Sequence, residues 1–93
     1  MEKVNYKVVN AEFFEAVKNR PLKEIALPQE KLEDEKGIVL AQSRKADADL
    51  FISITGNNGH PRLLVHWGDS NDYYQGWNMA WEEFTWCLEI AQK

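Results

Sequence analysis

The sequence predicts an α+β domain in which a three- to four-stranded antiparallel sheet packs against two helices. Two runs of alternating residues, at 50–55 and 62–67, are separated by a Gly-Asn-Asn-Gly turn, which is typical of a β-hairpin. Residues 77–91 instead repeat large apolar side chains at intervals of three and four, which is typical of a helix that packs on one side. With 93 residues, 44% of them hydrophobic and 28% charged, the chain is predicted to form one compact domain over residues 1–93.

Short elements are expected at the N-terminal end. Val4, Tyr6 and Val8 alternate with polar neighbours, which predicts a short strand that could join the sheet at an edge. A helix is predicted over residues 11–20. Asn10 precedes it and is a candidate N-cap, because its side chain can accept hydrogen bonds from the amides of the first turn.

A charged connection separates this helix from the central strands. Pro21 ends the helix, because proline disrupts the hydrogen bonds and packing of a helix interior. Residues 22–36 are mostly charged and weakly periodic, with one possible helical turn at 29–32. Residues 37–44 contain the apolar run Ile-Val-Leu-Ala and predict a strand that completes a three-stranded antiparallel meander. One face of this meander is apolar, and the other carries Ser53, Thr55, Arg62 and His66.

The C-terminal segment is best explained as a helix. Residues 68–72 read Gly-Asp-Ser-Asn-Asp and are predicted to form a turn that caps it. A strand is the alternative, because apolar residues also alternate from Phe84 to Ile90. The helix explains more residues, since its spacing connects Tyr74, Trp77, Trp81, Phe84, Leu88 and Ala91.

Charge is distributed unevenly along the chain, whose formal net charge is −4. Residues 46–92 contain seven acidic residues but a single arginine, and they hold all four tryptophans. Nucleic-acid binding draws most of its affinity from Lys and Arg side chains that neutralise phosphates, so direct binding of nucleic acid is not expected. A basic protein would be attracted to such a segment, whereas the plainest alternative is an acidic surface that only keeps the protein soluble.

No catalytic, metal or nucleotide site is predicted, so we expect neither enzyme activity nor a cofactor. The Gly-Asn-Asn-Gly turn lacks the residue order of phosphate-binding loops. His60 and His66 could be combined with Asp69 or Asp72, but they lack the spacing of a zinc site. Cys87 lies in an apolar segment, where a cysteine is usually a small buried hydrophobic residue.

A cytoplasmic location without a membrane partner is expected. A single cysteine cannot form an intrachain disulfide, which fits a reducing compartment. No apolar run approaches the roughly 18 to 20 residues of a membrane span. The first five residues also lack the apolar centre of a signal peptide.

The back of the last helix is the candidate partner-binding surface. At about 100° per residue, Met79, Trp86 and Ile90 fall opposite the apolar stripe that is expected to face the core. An aromatic anchor with a charged rim is typical of a protein-binding hot spot. The predicted set is Asp69, Asp72, Tyr73, Met79, Glu82, Glu83, Trp86, Glu89 and Ile90. The alternative is that the N-terminal helix covers this second stripe through Phe13, Phe14 and Val17.

These observations predict a small acidic inhibitor of the immunity, antitoxin or anti-defence type. Its carboxylates would occupy the positions of phosphates in the groove of a basic, nucleic-acid-handling protein such as a nuclease. This would be a form of nucleic-acid mimicry. Two alternatives remain open. The protein could be a homo-oligomer, for instance a homodimer, whose second stripe is a self-interface. It could also be a small ligand-binding or catalytic domain that uses the polar sheet face with Ser53, Arg62 and His66.

Overall fold

The computed structural model describes residues 5–45, 47–56 and 59–91. Within them, a five-stranded antiparallel sheet and three helices form an α+β architecture, so the predicted class is confirmed. The sheet has one strand more than expected, and the helix beyond the two expected ones is the single turn at 29–32 that the sequence allowed. The strands lie in chain order and are β1 (Tyr6–Val8), β2 (Ile38–Ser43), β3 (Leu50–Thr55), β4 (Arg62–Trp67) and β5 (Ser70–Tyr74). The helices are α1 (Ala11–Asn19), α2 (Gln29–Leu32) and α3 (Trp77–Ala91), and a 3₁₀ turn spans Leu22–Glu24.

The central hairpin forms where it is predicted, but its burial does not alternate, because β3 is buried on both faces from Leu50 to Ile54 and the face predicted to be polar also carries the buried Phe51 and Leu64. β3 and β4 pair from Leu50 opposite Trp67 to Thr55 opposite Arg62. Their core-facing residues carry apolar side chains that are almost completely buried, because α1 and α3 pack on this face. The predicted turn residues at 57 and 58 lie outside the described residues.

The N-terminal strand joins the sheet at an edge, where β1 pairs with β2; Val4 lies outside the described residues. Asn10 occupies the N-cap position of α1 as predicted, but its side chain makes no capping hydrogen bond. Instead its Nδ2 donates to the carbonyl oxygen of Val39 at 2.6 Å. This longer-range hydrogen bond satisfies the amide and ties the start of α1 to β2.

The second edge strand, β5, is a correction to the sequence prediction. The turn consists of Gly68 and Asp69 alone, and Gly68 has a φ of +61°, which glycine adopts without strain. The chain is extended again from Ser70, so the predicted turn over 68–72 is wrong beyond its second residue. Most of β5 is exposed at the sheet edge and needs no apolar alternation.

The helical interpretation of residues 77–91 is confirmed, and the strand alternative is excluded. Trp77 and Trp81 stack with their ring centroids 5.0 Å apart, and Phe84 and Leu88 are fully buried above the sheet. Phe14 of α1 packs edge-on against the same stripe, 5.4 Å from Trp77. The two longer helices therefore share one face of the sheet and leave the back of α3 uncovered.

Candidate protein-binding surface

The second apolar stripe of α3 is exposed. Met79 is 66%, Trp86 56% and Ile90 39% exposed. The alternative in which α1 covers this stripe does not hold, because Phe14 is buried against the Trp77 side of the helix. Large apolar side chains that share an exposed helix face are typical of an interaction surface.

Carboxylates border this stripe on both sides. From the geometry of an α-helix, Glu82 and Glu89 lie about 40° and 60° to one side of Trp86, and Glu83 lies about 60° to the other side. Glu82 and Glu89 are exposed, whereas Glu83 is half-buried. The indole of Trp86 therefore projects between Glu82 and Glu89 on one side and Glu83 on the other.

Asp72 extends the acidic rim from β5. It pairs with the buried Val65, so its side chain lies on the same face of the sheet as α3. Burial raises the pKa of Tyr74, and the nearby carboxylates of Glu83 and Asp72 raise it further. The same two carboxylates, again after burial, contribute to the raised pKa of Cys87. Asp72 and Glu83 therefore both lie within electrostatic range of Tyr74 and Cys87.

Cys87 is a buried thiol, as its apolar surroundings predict. It is 2% exposed, and its Sγ donates to Oε2 of Glu83 at 3.6 Å. Burial raises the pKa of this thiol to about 12, with a smaller contribution from the Glu83 charge. The group therefore stays protonated at neutral pH and is not a thiolate nucleophile there.

One predicted site residue, Tyr73, lies on the opposite face of the sheet, and Asp69 lies in a turn outside α3 and β5. Tyr73 pairs with Leu64 and therefore projects from the sheet face opposite α3. Asp69 is exposed in the turn between β4 and β5. The structure places the other predicted residues on one side of the molecule, a surface that we call the acidic aromatic face: Asp72, Met79, Glu82, Glu83, Trp86, Glu89 and Ile90.

The sheet face opposite α3 does not bring its predicted polar residues together as an open site. Ser53 is fully buried, and its hydroxyl has no hydrogen-bond partner among the described residues. The Arg62 guanidinium carbon lies 4.2 Å from the centre of the Tyr73 ring. His66 stacks on Phe51 with ring centroids 4.9 Å apart. Ser53, Arg62 and His66, the side chains of the predicted ligand site on this face, are therefore each buried or in contact with a neighbouring side chain.

His66 connects two strand ends through its ring nitrogens. Nδ1 lies 2.7 Å from Oδ1 of Asn71, and Nε2 lies 3.1 Å from Oδ2 of Asp49. Both partner atoms are acceptors, so both nitrogens donate when the ring is protonated. The hydrogen bond with Asn71 is the largest cause that raises the pKa of His66, followed by Asp49, while burial and the Lys36 charge oppose it.

We therefore expect His66→Gln to cost more stability at pH 5.5 than at pH 8.5. A raised pKa in the folded state means that protonated His66 stabilises the fold fully below its ordinary pKa of 6.5, and that this stabilisation is lost as pH rises through the folded value. The difference should be below about 1 kcal/mol, because Asp49 is 57% exposed. Urea unfolding of both proteins at the two pH values measures it. An equal or larger loss of stability at pH 8.5 would contradict the raised pKa of His66 in the folded state.

Metal ligands do not cluster in the described parts of the chain. No group of three histidine, cysteine, aspartate or glutamate residues in 5–45, 47–56 and 59–91 could hold an ion. The ring nitrogens of His66 lie against Asp49 and Asn71, and not against Asp69 or Asp72, with which a metal site would have had to combine it.

Comparison of the chain with models of known protein families, with curated proteins and with solved structures finds no match. None of the helices in the described residues is long and apolar enough to cross a membrane. The function is therefore inferred from the geometry and charge of the surfaces themselves.

Proposed function

We propose that this chain is a small acidic inhibitor of the immunity, antitoxin or anti-defence type. It binds a basic, nucleic-acid-handling protein, for example a nuclease, through the acidic aromatic face. The observation that carries the proposal is Trp86, which is 56% exposed beside the exposed carboxylates of Glu82 and Glu89, with the half-buried Glu83 on its other side. An aromatic side chain that loses its remaining contact with water on docking supplies a large share of the binding energy of an interface.

The mechanism is competition by nucleic-acid mimicry. The carboxylates of Glu82, Glu83 and Glu89, with Asp72 beside them, present negative charge at the positions that phosphates take in the groove of the partner. Trp86 fills an apolar pocket and fixes the register of these charges. The net charge of −4 adds long-range attraction, which raises the association rate at low salt.

A homodimer through this face is less favourable than a complex with a basic protein. A two-fold interface places the same patch on both copies, so the glutamates of one copy would meet those of the other. Like charges held in a desolvated interface cost several kcal/mol. Solubility alone also does not explain Trp86, because an exposed indole opposes it.

Charge reversal on the face tests the proposal. We expect Glu82→Lys/Glu89→Lys to weaken capture of a basic protein from the native host's lysate at low salt by tenfold or more, because both exposed carboxylates face the partner. Glu24→Lys/Glu35→Lys is the matched control, since it changes the net charge equally at exposed positions outside the face. Capture is followed by mass spectrometry of stoichiometric proteins.

The control separates the surface from the total charge. The proposal predicts that the control double variant retains the captured protein nearly as well as the wild type. Equal loss with both double variants would show that net charge alone is responsible. Wild-type capture that survives reversal of the face, or no stoichiometric basic protein at all, would also overturn the proposal.

A further inference from the structure

A cleft lies where the end of α1, the residues after it, the start of β4 and the start of α3 meet. Its volume is about 730 Å³, which falls within the range of small-molecule sites, about 300 to 1,000 Å³. Apart from Met79, none of the described residues that line it belongs to the acidic aromatic face. It therefore shares only Met79 with the face on which the proposed function rests.

The cleft has the opposite sign of charge to the chain as a whole. Lys18, Arg20, Lys23 and Arg62 line it, and none of the described lining residues is acidic, although the net charge of the chain is −4. Nζ of Lys18 forms an ion pair with Oε2 of Glu15 at 3.6 Å, and the Arg62 guanidinium lies over the Tyr73 ring. Arg20 and Lys23 are exposed at the cleft and are the cations best placed to meet an incoming anion.

The remaining lining is largely apolar. Val17, Leu22 and Leu63 are buried beneath the cleft, and the half-buried indole of Trp77 forms part of its wall. An apolar floor with a few polar groups at the rim is the composition of a small-molecule site. The floor favours an apolar group, and the cations favour a negative charge.

We propose that this cleft binds a small organic anion, with an aromatic or aliphatic body against Trp77 and Pro21 and an anionic group at Arg20 and Lys23. The anionic group is a carboxylate or a phosphate, which guanidinium and ammonium groups both bind through charge-assisted hydrogen bonds. The body and the anionic group contribute separately. A molecule that carries only one of them therefore binds more weakly than one that carries both.

Titration of the isotopically labelled chain with phenyl phosphate, followed by nuclear magnetic resonance, tests this site. We expect saturable shifts at the Trp77 indole N–H and at the backbone amides of residues 18–23 and 77–79. Inorganic phosphate and benzyl alcohol, which each supply one half of the ligand, should bind at least tenfold more weakly. Phenylacetate in place of phenyl phosphate shows which anionic group the site prefers.

Two charge variants locate the binding. Arg20→Gln/Lys23→Gln should weaken phenyl phosphate binding tenfold or more, while Lys7→Gln/Lys31→Gln, which removes the same charge from exposed positions outside the cleft, should stay within twofold of the wild type. Trp86→Ala should also stay within twofold. Three results would contradict the proposed anion site: no saturable shifts at 10 mM phenyl phosphate, shifts centred on Trp86, or equal losses of phenyl phosphate affinity in both charge variants. None of these results would contradict the proposed function.

Discussion

Phe84→Ala is expected to lower the free energy of unfolding by about 3–5 kcal/mol, whereas Trp86→Ala, two positions along the same helix, should lower it by less than about 1 kcal/mol. Phe84 is fully buried, with its ring centre 5.2 Å from Trp81 and 6.3 Å from Tyr6. Its truncation leaves a cavity between α3 and β1. Trp86 is 56% exposed, and its truncation removes little from the core.

Guanidinium unfolding of the wild type and both variants measures this contrast, with far-ultraviolet circular dichroism as the check that α3 still forms. A loss of 3–5 kcal/mol is a large part of the stability of a typical domain, about 5–15 kcal/mol. If Phe84→Ala does not fold, the milder Phe84→Leu gives a smaller loss that should still exceed that of Trp86→Ala. Equal losses at positions 84 and 86 would mean that Trp86 belongs to the core.

The fold class, the central hairpin and α3 could be predicted because each has a strong local signal. Alternation over residues 50–55 and 62–67 gives the period of half-buried strands. Spacings of three and four from Trp77 to Ala91 give the period of a helix, and the structure has a helix with those bounds. These patterns depend only on which neighbours share a face.

The edge strand and the hydrogen-bond partner of the Asn10 side chain could not be predicted because their determinants are not local. β5 is a strand because β4 offers it a row of backbone partners, although its Ser-Asn-Asp sequence is typical of a turn. Asn10 has the composition of an N-cap, but the carbonyl of Val39, 29 positions away, provides its hydrogen bond.

The candidate site, like the fold, could be predicted only in part from the sequence. The stripe of Met79, Trp86 and Ile90 follows from helical periodicity, so its place opposite the core was predictable. Tyr73 could not be placed without the register of β5, which puts it on the other face of the sheet. The basic cleft could not be predicted from the sequence, because Arg20 and Arg62 are far apart in the chain and only the fold places both in its lining.

Mutually exclusive binding of this chain and of nucleic acid to the captured partner is the most direct consequence of the proposed mechanism. Trp86 should be a hot spot of that interface, for which truncation costs about 2–4 kcal/mol, or roughly 30- to 700-fold in affinity. Tyr73→Ala is the matched control, because Tyr73 is 48% exposed but lies on the opposite face of the sheet.

The decisive measurement is fluorescence anisotropy of a labelled nucleic acid bound to the purified partner, titrated with the wild-type chain, Trp86→Ala and Tyr73→Ala. The wild type and Tyr73→Ala should displace the nucleic acid completely at similar concentrations. Trp86→Ala should require roughly 30- to 700-fold more protein. Nucleic acid that stays bound in a ternary complex at saturating wild-type chain, or equal displacement by Trp86→Ala, would contradict nucleic-acid mimicry through the acidic aromatic face.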